Sequence, residues 1–321
     1  MPINLNGLLL PITTPFKDDE AVNVTGLTAN LKKWTEAGVT GFVVLGSTGE
    51  RVNLDEREYA QVIEAARAAV SETLTFIVGA GQQSTRGTIN EIIRAASTGA
   101  AAVLVITPHY YRSAITQEAL IQHYSAVADD SPVPIILSSM PDLTGVKIEP
   151  ETAARLSEHP QIIGMKDSSN DVAKFAEAVR TTREDFAMLI GNGTVFYEAL
   201  QAGARGGILA VGCAAPDLCL EIYRAFQSDE LDRASSLQEK LMPLARAVTK
   251  TYGIGGLKAA VEMAGYVGGA VRAPLRLPNE EAIAEIAQLL KEANEFRGKP
   301  YVSEPGAIRG PHAGSPRGVV A

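Results

Sequence analysis

Eight short apolar runs recur along the chain at intervals of about 20–33 residues, with longer amphipathic stretches between them. They are Leu8 to Thr13, Gly41 to Leu45, Leu74 to Gly79, Ala101 to Ile106, Val133 to Leu137, Ile162 to Lys166, Ala187 to Gly191 and Gly206 to Ala210. Most are unbroken apolar segments rather than alternating ones, the pattern of parallel strands covered on both faces. A strand-then-helix unit repeated eight times predicts an α/β fold, a closed (β/α)8 TIM barrel. An open doubly wound sheet is the competing arrangement. Against it, the turn after the first strand lacks G-x-G-x-x-G.

The intervening stretches carry helix signals. Leu27, Leu31 and Trp34 fall at i, i+4 and i+7, one face of a helix that ends at Gly38. Leu54-Asp55-Glu56 opens the next helix, with Tyr59, Val62, Ile63 and Ala66 turned inward. Ser84-Thr85 caps a third that stops near Gly99, and Thr116 with Glu118 starts a fourth. Asp171 to Arg180, Thr194 to Gln201 and Pro216 to Gln227 complete the set. Three further helical segments follow, over Asp229 to Thr249, Gly255 to Ala264 and Asn279 to Glu295. The pattern predicts a barrel over 1–225, a C-terminal helical region over 226–296, and a flexible tail over 297–321, where Gly and Pro are frequent and periodicity stops.

Composition narrows the function. Hydrophobic residues at 46% and charged residues at 21% suit an ordinary globular protein. The net charge of −8 has the wrong sign for binding a phosphate backbone, and aromatic content of 6% offers no stacking platform, so no nucleic-acid partner is expected. No apolar run of about 18 residues is present to span a membrane. Cys213 and Cys219 do not form a C-x-x-C pair, which excludes a disulfide framework and points to a reducing, cytoplasmic setting. His109, His123, His159 and His312 are scattered without metal-ligand spacing, so no metal is expected. The first residues, Met1 to Leu5, lack the basic and apolar regions of a secretory leader.

In a barrel of this kind, reactive groups sit at the C-terminal ends of strands and in the loops that follow. The second strand ends Gly46-Ser47-Thr48-Gly49-Glu50. Small hydroxyl residues between glycines, ahead of a helix start, make a cradle for a carboxylate or phosphate; a plain Ser/Thr helix cap is the simpler reading. The sixth strand ends Gly164-Met165-Lys166-Asp167. Desolvation in a barrel mouth would lower the pKa of Lys166 and free its amine to attack a ketone. A lysine that extends to solvent or pairs with Asp167 is the alternative. Lys147, in a loop, and Lys258, in the late helical region, are weaker nucleophile candidates. The fourth strand ends Thr107-Pro108-His109-Tyr110-Tyr111-Arg112, whose phenols suit either a proton relay or an interface. His109 and His123 read as structural.

Taken together, these motifs resemble the dihydrodipicolinate synthase/N-acetylneuraminate lyase family of Schiff-base (class I) aldolases, from Gly7 to about Leu277. Gly206-Gly207-Ile208 adds to the likeness. The chain is most similar to the 4-hydroxy-2-oxoglutarate aldolase branch, through Tyr110-Tyr111-Arg112, Ser131-Pro132-Val133-Pro134, Gly164-Met165-Lys166-Asp167-Ser168 and Tyr252-Gly253-Ile254-Gly255-Gly256-Leu257-Lys258. The resemblance implies an imine between Lys166 and pyruvate or another 2-oxo acid, with no separate cofactor. It implies that Ser47 and Thr48 hold the substrate carboxylate and that Ile208 faces the site through its backbone carbonyl. It also implies that Tyr111 joins a proton relay across a dimer interface, in a dimer or dimer of dimers.

One departure bears on catalysis. The fifth strand, Ile135-Ile136-Leu137-Ser138-Ser139, carries Ser138 where the family normally has a proton-shuttling tyrosine, and Leu143 stands where synthases carry an arginine for the second substrate's carboxylate. Serine is a whole ring shorter, and its hydroxyl is far less acidic than a phenol of pKa about 10. A general acid–base group contributes about 10²–10⁴-fold, so its simple loss corresponds to about 3–5 kcal/mol of barrier. A water held by Ser138 and Ser139 is one compensation. The sequence therefore predicts a carbon–carbon lyase acting on pyruvate or a related 2-oxo acid. Two alternatives are a synthase-like paralogue that binds 2-oxo acids with weak or no turnover, and a lyase or dehydratase with an enlarged pocket.

Overall fold

The computed structural model describes residues 3–298. Eight parallel strands close into a barrel in sequence order: β1 (Gly7–Pro11), β2 (Gly41–Val44), β3 (Thr75–Ala80), β4 (Ala102–Ile106), β5 (Ile135–Ser139), β6 (Ile162–Asp167), β7 (Ala187–Ile190) and β8 (Gly206–Ile208). The TIM barrel expected from the eight runs is the fold. Strand ends move by no more than two residues from their expected places. The fifth starts at Ile135 rather than Val133 because Pro134 has no N–H to give to a ladder.

The helix starts read from the sequence are capped as expected. Asp55 and Glu58 form a reciprocal capping box on the helix Glu56–Ala69, while Ser84 and Thr116 accept the amides of Gly87 and Ala119. Gly38 and Gly99 take the left-handed conformation expected past helix ends, at φ 85° and 88°. A helix over Pro150–Ser157, between β5 and β6, was not expected. Its eight residues are too few for a 3.6-residue period to stand out. The late helices run over Leu231–Arg246, Gly253–Met263 and Glu280–Asn294. The expected tail 297–321 lies outside the described residues, apart from its first two positions in the turn Glu295–Gly298.

The sheet divides the core into two. Leu9, Val43, Ile77, Leu104, Ile136, Leu189 and Ile208 fill the barrel interior. Leu8, Leu10, Phe42, Leu137 and Met165 pack outward against the helices. That outer core continues without a break through Leu241, Leu244, Leu257, Val261 and Ile286 of the late helices.

One irregularity in β6 places the site. The β5–β6 register runs from Ile135 opposite Ile162 directly to Ile136 opposite Gly164, so Ile163 is an extra residue. Ile162 and Met165 both face the outer core although they are an odd number of residues apart. Strict alternation from Ile162 would have turned Lys166 outward. The bulge reverses the parity and turns it into the barrel, opposite Ser138.

Candidate active site

Lys166 lies at the C-terminal end of β6, only 4% exposed. Its ammonium has no ion pair or hydrogen bond among the described residues. Burial alone lowers its pKa from the ordinary 10.5 to about 8. Neither alternative reading of this lysine survives: it does not extend to solvent, and Asp167 faces the opposite side of the strand. The Asp167 carboxylate accepts the amide and hydroxyl of Ser169, at 2.8 and 3.0 Å. Burial raises the Asp167 pKa, with those hydrogen bonds opposing the rise.

Ser138 is the register partner of Lys166, and both are buried on the inner face of adjacent strands. The fold therefore brings this pair together. Ser139 points the other way, and its Oγ accepts the Ile148 amide at 3.3 Å. The expectation that Ser139 shares a water with Ser138 is corrected by the pleat: neighbouring residues of a strand face opposite sides. A different hydroxyl is close to the lysine. Ser168 Oγ is buried with no hydrogen-bond partner among the described residues, and a Cβ at Gly191 would overlap both Ser168 Oγ and Lys166 Cε. Gly191 thus leaves the space these two side chains use. Sequence reading did not single out Ser168 or Gly191, although the first is two residues from the lysine and the second ends an expected strand.

Ser47 and Thr48 follow β2 in a three-residue 3-10 turn, Ser47–Gly49. The Gly49 and Glu50 amides close on Gly46 and Ser47 carbonyls within it, at 3.0 and 3.1 Å. Ser47 Oγ contacts Met140 Sδ at 3.5 Å, which links the loop after β2 to the loop after β5. Two expectations are corrected here. Neither Ser47 nor Thr48 caps an α-helix, and the α-helix that follows them in the chain does not begin until Glu56. The Glu58 amide in its first turn is taken by Asp55. Ile208 ends β8 and belongs to the interior cluster.

Tyr111 stands apart, 72% exposed and edge-on to Tyr110 at 5.0 Å. Gln83 fixes the backbone of this loop, its Oε1 accepting the amides of His109 and Tyr110 at 2.9 and 2.8 Å. Leu143, in the short helix Pro141–Thr144 after β5, is 67% exposed. His123 is buried against Thr85, and burial lowers its pKa to about 4. Lys147 pairs with Asp171 at 3.6 Å, and Lys258 is buried in an ion pair with Glu50. Among the described residues, no group of three or more His, Cys, Asp or Glu side chains is arranged to hold a metal ion, and no helix is long and apolar enough to cross a membrane.

Comparison with known proteins agrees with this architecture. The model of the Dihydrodipicolinate synthetase family matches residues 4–293. A 4-hydroxy-tetrahydrodipicolinate synthase of Methanopyrus kandleri is 36% identical over 295 residues, spanning 91% of this chain and 97% of its own. The crystal structure of dihydrodipicolinate synthase from Thermotoga maritima superposes with a TM-score of 0.84 at 31% identity, covering 90% of this chain and 98% of that one. YagE, a prophage protein of Escherichia coli K12 solved in complex with pyruvate, superposes with a TM-score of 0.85 at 26% identity, covering 90% and 98%. The curated relative is named for the synthase reaction, not for 4-hydroxy-2-oxoglutarate cleavage. With Lys166 buried in the mouth of the barrel and the likeness spanning nine-tenths of its length, the chain belongs to the dihydrodipicolinate synthetase family, carbon–carbon lyases that act on pyruvate through a lysine imine.

Proposed function

We propose that this protein is a Schiff-base lyase that cleaves a 4-hydroxy-2-oxo acid, of the 4-hydroxy-2-oxoglutarate type, to pyruvate and an aldehyde. The observation that carries the reading is Lys166: buried, without an ion pair among the described residues, and mostly neutral above about pH 8. Its Nζ adds to the C2 carbonyl, water leaves, and a protonated imine remains. The C4 hydroxyl gives up its proton, the C3–C4 bond breaks, and C4 departs as the aldehyde. The bonding pair enters the imine as an enamine. C3 then takes a proton, and hydrolysis releases pyruvate and free Lys166. Ser47 and Thr48 hold the C1 carboxylate, the Ile208 carbonyl lines the site, and Ser138 occupies the position of the usual proton-shuttling phenol. The buried Ser168 hydroxyl is free to bond the substrate. Leu143, apolar and exposed, offers no cation for a second carboxylate, whether that of the synthase's aldehyde partner or the C5 carboxylate of 4-hydroxy-2-oxoglutarate, so a 4-hydroxy-2-oxo acid without that group is the better fit at this position. Tyr111, exposed on a single chain, joins the site of a neighbouring copy in a cytoplasmic dimer or dimer of dimers.

Ser138 supports a second reading, a paralogue that forms the imine but turns over little. Borohydride trapping with pyruvate, read by mass spectrometry alongside turnover on a panel of 2-oxo acids, separates the two. The lyase gives an adduct on Lys166 and measurable cleavage of a 4-hydroxy-2-oxo acid. An adduct with no turnover, and turnover gained by Ser138→Tyr, selects the second reading. No adduct on Lys166 sinks both. Sedimentation velocity tests the assembly, and a monomer at micromolar concentration would overturn it.

A further inference from the structure

Glu50 and Lys258 form an ion pair at 2.5 Å with side chains 1% and 0% exposed. They come from distant places: Glu50 ends the turn that carries Ser47 and Thr48, and Lys258 lies on the late helix Gly253–Met263. Burying two charges costs several kcal/mol per ion, and a packed apolar pair often does as well for stability. A pair kept in such a place calls for a geometric explanation. The surroundings supply one. Lys258 Nζ also donates to the Ala270 carbonyl at 2.5 Å and stands over the Phe16 ring at 4.3 Å. The second Glu50 oxygen accepts from Asn53 at 3.2 Å. Glu50 itself holds a left-handed backbone, φ 55°, which a residue with a side chain adopts only when its surroundings enforce it. On the other side of the turn, Thr14 Oγ1 donates to the Gly49 carbonyl at 2.7 Å. Ser47 and Thr48 therefore sit on a turn pinned from the loop after β1 and from the late helical region.

We propose that Glu50 and Lys258 are positioning residues that hold the Ser47–Thr48 turn in the shape that receives the substrate carboxylate, which makes the late helical region part of the substrate site. The inference rests on the carboxylate role given to Ser47 and Thr48 above. Neither side chain touches the reacting carbons. Their loss acts on how tightly a 2-oxo acid is held rather than on the imine chemistry of bound substrate.

The test uses the full chain and the near-isosteric double variant Glu50→Gln/Lys258→Met, which leaves no buried charge unpaired. Borohydride trapping is followed against pyruvate concentration, and amide hydrogen exchange is read over residues 46–50. The expected result is a half-saturating pyruvate concentration raised roughly ten- to a hundredfold with the maximal trapping rate kept within about threefold, the signature of lost ground-state positioning. Exchange rises in 46–50 while β2 stays protected. An unchanged half-saturation in a folded variant overturns the proposal. So does a variant that fails to fold, because the pair then serves stability rather than the site. If the parent itself gives no adduct, the lyase reading fails separately. The present inference is then judged by exchange alone: faster exchange confined to 46–50 supports it, and no change overturns it.

Discussion

Lys166 lies buried at the C-terminal end of β6, on the inner face of the barrel. Burial, with no partner among the described residues, lowers its pKa to about 8, so about a tenth of it is the nucleophilic neutral form at pH 7 and about half at pH 8. The rate of imine formation with pyruvate should rise about tenfold per unit of pH at low pH and level off above about 8. Trapping with quenched-flow borohydride checks this, and a flat profile between pH 6 and 9 contradicts it. The same shift affects stability. The folded-state pKa lies below the unfolded value, so the folded chain binds fewer protons between about pH 8 and 10.5. Stability gains as pH rises through that window, and the full penalty applies below it. Lys166→Met should abolish trapping and raise stability at pH 7 by up to about 3 kcal/mol, read as a higher midpoint in chemical denaturation. Ser138 is the opposite case. Its identity was plain in the sequence, and the structure adds only where it points: inward, opposite Lys166.

Strand β6 shows how an element can direct chemistry. Its apolar run was easy to find, but alternation through Ile162 to Lys166 does not reveal the extra residue at Ile163, because a bulge leaves no mark in composition. Gly164, beside the bulge, has no room for a side chain: a Cβ there would come within 2.5 Å of the Ala187 carbonyl oxygen on β7. Gly164→Ala should cost about 1–3 kcal/mol in denaturation midpoint, as overpacking does, and slow trapping at Lys166 two residues on. Unchanged stability and trapping would mean that β6 and β7 separate freely there. The helix Pro150–Ser157 was missed for the reverse reason: its fold is ordinary, but it is too short to carry a period.

Across the molecule, the late helices are not an addition to a finished barrel. Leu241, Leu244, Leu257, Val261 and Ile286 belong to the same outer core as Leu10, Phe42 and Trp34. Trp34 donates from its indole to the Cys213 carbonyl at 3.0 Å and stacks on Tyr266 at 5.1 Å, joining the first helix to the segment after β8 and to the late region. Arg272 reaches back to Glu58 and to the Asn53 carbonyl. A fragment ending at residue 225 should expose that shared apolar surface and fail to reach a packed native state. Loss of near-ultraviolet circular dichroism with strong binding of a hydrophobic dye is the expected readout. A fragment with sharp cooperative melting would contradict it.

The sequence by itself determined the barrel, because eight apolar runs separated by amphipathic stretches bury their surface most simply as a closed parallel sheet under helices. It also determined which groups are available: one lysine at a strand end, small hydroxyls after β2, and a serine in place of a phenol. Tertiary structure alone decided what those groups face. The bulge at Ile163 set the parity of Lys166, the pleat turned Ser139 away, Gly191 after β7 left room beside Lys166 and Ser168, and the fold joined Glu50 to Lys258 from distant parts of the chain. The reason is physical. Burial of apolar surface depends on pattern, which one dimension can carry, whereas the direction of a side chain and the charge that meets it depend on register and packing between residues far apart in sequence.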